Sequence, residues 1–418
     1  MHISIFGYGV TTKPLVKFLN AQGQKLYIYD DKFEKIAYDE QGNALLPPSE
    51  FNAHNSDMEI LSPGIPPFHA LVQKARHLVS EYDYFMNLLH EQSKDLPFHI
   101  WISGTNGKTT TTQMTTLLLE PFGAKSGGNI GTPLSTLYEQ KPKIWVLETS
   151  SFSLHYTHYA YPRIYALLPV REDHISWHGS FKNYIDDKLS VLLRMDSRTF
   201  AIIPRELKEH TFVRKYKGEL ITYETSLDLA KACGFDMETI IFKEPFLLDA
   251  CIALSIAKLG FRADNVQRLN TFHIGAHRIA EFYDKYNRLW VDDSKGTNVD
   301  ATIQAILRYA NRHICIILGG DDKGANLTPL FECMRDKDIE IFSIGANEER
   351  LLEFARRYHI HILPCGTLQN AMRIIHKKRA KDAQDVVLLS PAAASLDQFS
   401  SYKQRGELFT KLALQDES

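Results

Sequence analysis

Short runs of Ile, Val, Leu and Tyr recur along the chain, separated by longer segments in which apolar residues return at helical spacing. The runs that read as strands are Ile3–Phe6, Leu26–Tyr29, Ile100–Ser103, Ile144–Leu147, Tyr165–Val170, Phe200–Ile203, Ile314–Leu318, Ile339–Ile344 and Val386–Leu389. A short unbroken apolar run predicts a strand covered on both faces. Helix-length intervals between such runs predict βαβ units and mostly parallel sheets. Two breaks interrupt the pattern: the polar stretch Glu91–Pro97, and Asn270–His277 after the helix-like Leu248–Leu259. They divide the chain into three predicted α/β domains, residues 1–92, 93–274 and 275–418. The first and last are expected to be Rossmann-like. Ligands of such sheets bind outside the C-terminal ends of the strands, so those ends are where chemistry is sought.

Composition narrows the classes. A hydrophobic share of 44% and a charged share of 23% are those of a globular protein, and a net charge of −2 with no basic block argues against a nucleic-acid partner. No apolar run approaches the roughly 20 residues that span a bilayer, and the N-terminus enters a strand pattern without a basic leader. Five cysteines (Cys233, Cys251, Cys315, Cys333, Cys365) are scattered without metal-ligand spacing, which predicts free thiols in a reducing compartment. The expectation is a cytoplasmic protein with no membrane partner. An anionic substrate must then be held by local N–H groups and a few cations.

The strongest local signal is Ile100-Trp101-Ile102-Ser103-Gly104-Thr105-Asn106-Gly107-Lys108-Thr109-Thr110. A strand enters, a glycine turn follows and a helix leaves, so backbone N–H groups and the positive helix end face one point, as phosphate binding requires. Gly104, Thr105, Asn106, Gly107 and Thr110 form the cradle, Lys108 reaches the β/γ-phosphates, and the Thr109 hydroxyl is placed to ligate Mg²⁺. The longer phosphate loop has another glycine where Ile102 stands, so this is the short Gly-Thr-Asn-Gly-Lys-Thr form, and the central domain is expected to be of the P-loop ATPase type.

That form resembles the phosphate loop of the Mur ligase family, and further segments match in family order. Gly127-Gly128-Asn129-Ile130-Gly131 resembles its Gly-Asn-Ile-Gly segment, which makes Asn129 a contact of substrate and reaction centre. Glu148-Thr149-Ser150-Ser151-Phe152 resembles its Glu-x-Ser-Ser-Phe, with Glu148 a Mg²⁺ ligand; an acidic strand end after a phosphate loop is what a nucleotide metal needs. Asp173-His174 and Lys188 complete the central set, although Pro169 stands where the family carries Asn. The resemblance implies that His174 binds a second Mg²⁺ and that Lys188 is carbamoylated, an amine turned by CO₂ into an anion beside a metal.

In the C-terminal part, Ala276-His277-Arg278 and Asp292-Asp293-Ser294-Lys295-Gly296-Thr297-Asn298 resemble the segments that cover the nucleotide. By that resemblance Arg278 and Lys295 contact phosphate and Asp293 the ribose. Gly319-Gly320-Asp321-Asp322-Lys323 and Ser390-Pro391-Ala392-Ala393-Ala394-Ser395 are strand-to-loop segments, followed by Tyr402. They are similar to the family member that adds D-glutamate to UDP-N-acetylmuramoyl-L-alanine, where the residues at Thr297, Lys323, Ser395 and Tyr402 hold the amino acid. A dicarboxylate needs more than one cationic or N–H-rich contact. The usual Phe is here Tyr402, and the Asp-Asn-Pro-Arg signature of the diaminopimelate-adding relative is absent between Gly366 and Asp385.

Near the N-terminus, Gly7-Tyr8-Gly9-Val10-Thr11-Thr12 follows the first strand, and Asp30-Asp31 ends the second. Alone this is a weak dinucleotide fingerprint, because Thr12 replaces the third Gly and is expected to disturb helix–strand packing. The resemblance implies UDP binding instead, with Val10, Thr11, Asp30, Lys32, Ser62 and Gly64 as contacts; Lys32 replaces the usual Arg and loses its planar fork. The Pro245-Phe246 pair replaces a His-Asn that serves adenine, so Phe246 is a candidate stacking ring.

The reading is a monomeric ATP- and Mg²⁺-dependent ligase that joins a carboxylate to an amine through an acyl phosphate. Its substrates are ATP, UDP-N-acetylmuramoyl-L-alanine and D-glutamate. Another amide ligase of the family, a nucleotide-driven ATPase and an NAD dehydrogenase remain the rivals. The last rests on Gly7–Thr12 alone and leaves Lys108 unexplained.

Overall fold

The computed structural model describes residues 1–92, 96–129, 131–378 and 385–415. Among them three six-stranded sheets form. The first contains β1 (Ile3–Phe6), β2 (Leu26–Tyr29), β3 (Ala37–Tyr38), β4 (Ala44–Leu46), β5 (Met58–Leu61) and β6 (Leu78–Val79), in the order β3-β4-β2-β1-β5-β6. The second contains β7 (Phe98–Ser103), β8 (Ala124–Gly128), β9 (Ile144–Glu148), β10 (Ile164–Leu167), β11 (Phe200–Pro204) and β12 (Glu219–Tyr223), in the order β12-β11-β10-β7-β9-β8. The third contains β13 (Ala280–Tyr283), β14 (Leu289–Asp292), β15 (Ile314–Leu318), β16 (Ile339–Ile344), β17 (His361–Gly366) and β18 (Val386–Leu389), in the order β13-β14-β18-β15-β16-β17. Every pairing in the second sheet is parallel; β3 on β4 and β13 on β14 are the antiparallel edge pairs of the other two.

Central strands follow the apolar runs because both of their faces are covered: Ile100, Trp101 and Ile102 of β7 and Ile314, Ile316 and Ile317 of β15 are fully buried. Strands without such a run sit toward the edges. β8 (Ala-Lys-Ser-Gly-Gly) is extended because Ala124–Gly128 pairs in register with Ile144–Glu148. β1 lies between β2 and β5, and β7 between β9 and β10, so later strands add to both sides of each, and the Gly7 turn and the phosphate loop leave from these two strands. Strand order reverses there, and a crevice opens.

The chain divides into two compact units, Met1–Phe272 and His273–Ser418. The first unit holds two sheets that share one core, in which Ile5, Phe85, Trp101 and Leu147 join a single buried cluster. The Trp177 indole N–H donates to the Gly64 carbonyl at 3.2 Å and the Tyr156 hydroxyl to the Ile65 carbonyl at 2.7 Å, tying the two sheets' loops together. The polar stretch 91–97 includes residues 93–95, outside the described residues. All five cysteines are free, as their spacing predicts. Among the described residues no helix is long and apolar enough to cross a membrane.

Candidate active site

At the end of β7 the chain turns through Gly104 and Gly107 before the helix Lys108–Leu119. Both turns exclude a side chain. At Gly107 (φ +81°) a Cβ would lie 2.3 Å from Asp249 Oδ1 and 2.4 Å from Leu168 Cδ2; at Gly104 (φ +147°) it would lie 2.5 Å from Leu168 Cβ. The loop is braced from below: Thr105 N–H donates to the Pro169 carbonyl at 3.2 Å, and Thr111 Oγ1 donates to Asp249 Oδ1 at 3.0 Å. Pro169, which stands where the family carries Asn, thus serves the loop through its carbonyl. Lys108 Nζ donates to the carbonyls of Gly104 at 2.9 Å and Thr105 at 2.8 Å, so the ammonium lies over the loop that its own helix begins.

Beside this loop the predicted polar residues converge. Thr109 Oγ1 donates to Glu148 Oε2 at 2.8 Å and Asn129 Nδ2 to Glu148 Oε1 at 2.9 Å, so one buried carboxylate joins the phosphate loop to the Gly-Asn segment. Ile130 of that segment lies outside the described residues. Glu148 sits at the end of β9, where register with β7 brings it beside Ile102. A hydroxyl and a carboxylate form the hard oxygen set that suits Mg²⁺.

Lys188 is the second lysine at this loop. It is buried, its Nζ lies 2.9 Å from the Gly104 carbonyl and 3.4 Å from Ser103 Oγ, and it stands over the Tyr184 ring at 4.6 Å. Burial, and then the Lys108 ammonium, hold its amine well below the ordinary lysine range. His174 sits in left-handed backbone (φ +53°) with its ring 4.7 Å from that of Phe152. Burial lowers its pKa; Asp173 raises it, and Lys108 and Lys188 lower it further.

Sequence reasoning missed the frame around these groups. Asp187 accepts at one oxygen from His178 (2.7 Å) and lies 2.8 Å from His155 at the other, while Ser151 Oγ is 3.0 Å from His178 Nε2. This network ties the Glu-x-Ser-Ser helix to the helix Phe181–Leu189 that carries Lys188. Nothing in the spacing of Ser151, His178 and Asp187 announces it.

In the N-terminal turn, Asp30 Oδ2 accepts from Tyr8 N–H at 2.5 Å, and Lys32 Nζ reaches the Tyr8 carbonyl at 2.6 Å. Thr12 does not disturb the packing as expected. It is buried, its hydroxyl donates to the Gly7 carbonyl at 2.6 Å and accepts from Gly9 N–H at 3.1 Å, and so it closes the turn that a glycine would leave open. Val10 is 94% exposed. Ser62 N–H pairs with the Phe6 carbonyl, and Gly64 lies in the next turn. A cleft with about 730 Å³ of space free of protein atoms runs from Val10 and Thr11 past Pro63 to Gly128 and Asn129. Phe246 is almost wholly buried at the start of the helix Phe246–Phe261, which leaves little ring face for an adenine.

In the second unit, Lys295 Nζ stands 4.1 Å from the Tyr402 ring centroid, and Lys295 N–H pairs with the His277 carbonyl. Arg278 is half-buried near Asp293. Asp293, the expected ribose contact, is buried, and its oxygens accept from Ile279 N–H at 3.2 Å and Ser390 Oγ at 2.6 Å. Thr297 N–H folds back onto the Lys295 carbonyl at 2.8 Å. Lys323 (φ +50°) turns in the loop after β15, and the bridge between Asp321 and Ala394 brings that loop against the one bearing Ser395. Tyr402 opens the helix Tyr402–Leu414.

Residues 102–234 match the family model for the Mur ligase middle domain. The chain is 47% identical over 409 residues to the UDP-N-acetylmuramoylalanine–D-glutamate ligase of Campylobacter jejuni, covering 98% of each chain. It is 45% identical to the enzyme of that name from Helicobacter pylori strain J99, over the full length of both. The fold is similar to the crystal structure of MurF ligase from Thermotoga maritima in complex with ADP (TM-score 0.57, 16% identity, 86% of this chain and 89% of that one). It is also similar to UDP-N-acetylmuramate–alanine ligase MurC of the same organism (TM-score 0.55, 15% identity, 98% of each). With phosphate loop, Glu148, Asn129 and buried Lys188 gathered at one sheet end, and with likeness running through the whole length of its relatives, the chain belongs to the Mur ligase family.

Proposed function

We propose that this protein joins D-glutamate to UDP-N-acetylmuramoyl-L-alanine with cleavage of ATP, a step of peptidoglycan precursor synthesis. One observation carries the chemistry: Lys108, Thr109, Glu148, Asn129 and Lys188 meet at a single loop of helix-start N–H groups. The identity of relatives named for that reaction carries the choice of substrates.

The roles follow from chemistry. ATP phosphates lie on the 104–110 loop, whose N–H groups and Lys108 offset charge as it spreads over the γ-phosphoryl oxygens. Thr109, Glu148, His174 and a carbamoylated Lys188 would hold Mg²⁺, which when bound neutralises phosphate charge. Burial favours the neutral form of the Lys188 amine, and a neutral amine adds to CO₂, forming the N–C bond and releasing one proton. The alanyl carboxylate oxygen attacks the γ-phosphorus, the bond to the β–γ bridging oxygen breaks, and its electron pair leaves with ADP. The amine of D-glutamate then adds to the acyl carbon and loses a proton. The C–O bond to phosphate breaks, and inorganic phosphate departs.

Within this reading residues 1–92, 93–274 and 275–418 act as the UDP, ATP and amino-acid domains. Val10, Thr11, Asp30, Lys32, Ser62 and Gly64 face the UDP end; Asn129 and His174 face the alanyl end. Thr297, Lys323, Ser395 and Tyr402 hold D-glutamate, and Arg278 and Lys295 contact the nucleotide. The protein acts as a monomer in the cytoplasm. The test is phosphate release with UDP-N-acetylmuramoyl-L-alanine, MgATP and a panel of amino acids. Release that requires D-glutamate is expected. Release indifferent to the amino acid favours a plain ATPase, and release with meso-diaminopimelate alone favours another ligase of the family.

A further inference from the structure

The N-terminal end of the helix Glu81–Gln92 is pinned onto the second sheet by residues on either side of Glu81. Ser80 Oγ accepts from Asp83 N–H at 3.0 Å and from Thr157 Oγ1 at 3.1 Å. The Tyr82 hydroxyl donates to the Glu148 carbonyl at 3.1 Å. The buried Asp83 carboxylate accepts three backbone N–H groups, those of His158, Tyr159 and Ala160, at 2.7–2.9 Å. Glu81 takes no part in this. Its side chain lines the cleft between Val10–Thr11 and Asn129, and its Oε1 is sealed from solvent without a hydrogen-bond partner.

A half-buried carboxyl with one walled-off, unpaired oxygen destabilises the free protein unless something else recovers the loss. Ser80, Tyr82 and Asp83 already anchor the helix, so anchoring does not explain Glu81. Its backbone is rigid, as a contact residue requires. The cleft's two ends are the turn assigned above to UDP and the Asn129 assigned to the alanyl end, so the moiety between them is the amino sugar. Resting on that functional reading, we propose that Glu81 is a specificity residue whose side-chain carboxyl hydrogen-bonds the N-acetylmuramoyl sugar of the UDP-linked substrate. Burial pushes the Glu81 carboxyl up to about 8, which favours the neutral acid over a charge that would repel a diphosphate or an alanyl carboxylate passing beside it.

The test compares Glu81→Ala and Glu81→Gln with the unaltered enzyme, measuring KM for each of the three substrates, kcat and Tm. With Ala, KM for UDP-N-acetylmuramoyl-L-alanine is expected to rise about tenfold, while KM for ATP and for D-glutamate stays within about twofold. Gln, neutral and of equal reach, is expected to restore that KM to within about threefold. An unchanged KM for the UDP substrate in Glu81→Ala overturns the proposal. So does a parallel rise of all three KM values with a lower Tm, the mark of a structural role, and so does a Gln variant as impaired as Ala. Calorimetry on the unaltered protein separates the two levels: if UDP-N-acetylmuramoyl-L-alanine does not bind, the functional reading fails and this contact with it; if it binds and Glu81→Ala binds it equally well, only the contact fails.

Discussion

Lys188 Nζ lies 2.9 Å from the carbonyl oxygen of Gly104, the first glycine of the phosphate loop, in a site closed to solvent. Two lysines therefore share one short loop, since Lys108 Nζ donates to that same carbonyl. Two ammonium groups cannot both stay charged cheaply in such a place. Burial and the Lys108 charge together favour the neutral amine at Lys188.

Replacing Lys188 by Ala should lower kcat by about 100-fold, an electrostatic loss of the usual size for a preorganised charge. Formate or acetate should restore part of it by entering the vacated space as the missing anion. A fully active Lys188→Ala enzyme that needs no added carboxylate would falsify carbamoylation.

Lys108→Met should remove the cation over the phosphate loop with little change in volume. A fall in kcat of about 10²–10³-fold is expected, with the folded state intact by circular dichroism. Turnover retained within tenfold would mean that the phosphates bind elsewhere.

Gly107→Ala places a methyl 2.3 Å from Asp249 Oδ1 at φ +81°. Backbone strain and a displaced Asp249 should together cost about 2–4 kcal/mol. Urea denaturation reads the stability, and calorimetry with MgATP should find binding lost. Unaltered values of both would mean the loop yields more easily than its packing implies.

Asp293 is buried, and its carboxyl is pushed up to about 7, chiefly by burial. The unfolded chain releases this proton near pH 4, whereas the folded one keeps it to about 7. Between those values the unfolded state binds fewer protons, so this group makes stability fall as pH rises, with no further change above the folded value. Asp293→Asn should flatten that descent in a series of urea midpoints from pH 4 to 8. An equal slope in both proteins would show that Asp293 titrates normally.

The order of motifs, the central strands and the chemistry of the phosphate loop were legible in the sequence, because each is local. An unbroken apolar run is a buried strand wherever it lies, and Gly-Thr-Asn-Gly-Lys-Thr carries its own geometry. Family resemblance supplied the substrates. Tertiary structure decided the rest, because the deciding contacts join residues far apart in the chain. Ala124–Gly128 is a strand only through its pairing with β9. Thr12 substitutes for a glycine only because its hydroxyl meets both Gly7 and Gly9. Asp293 and Phe246, candidate contacts of ribose and adenine, are buried, since burial depends on what packs above a side chain and not on its type. Glu81, Asp187 and Asp249 carried no signal at all; a carboxylate reveals its role only through the donors, or the empty space, that folding sets around it.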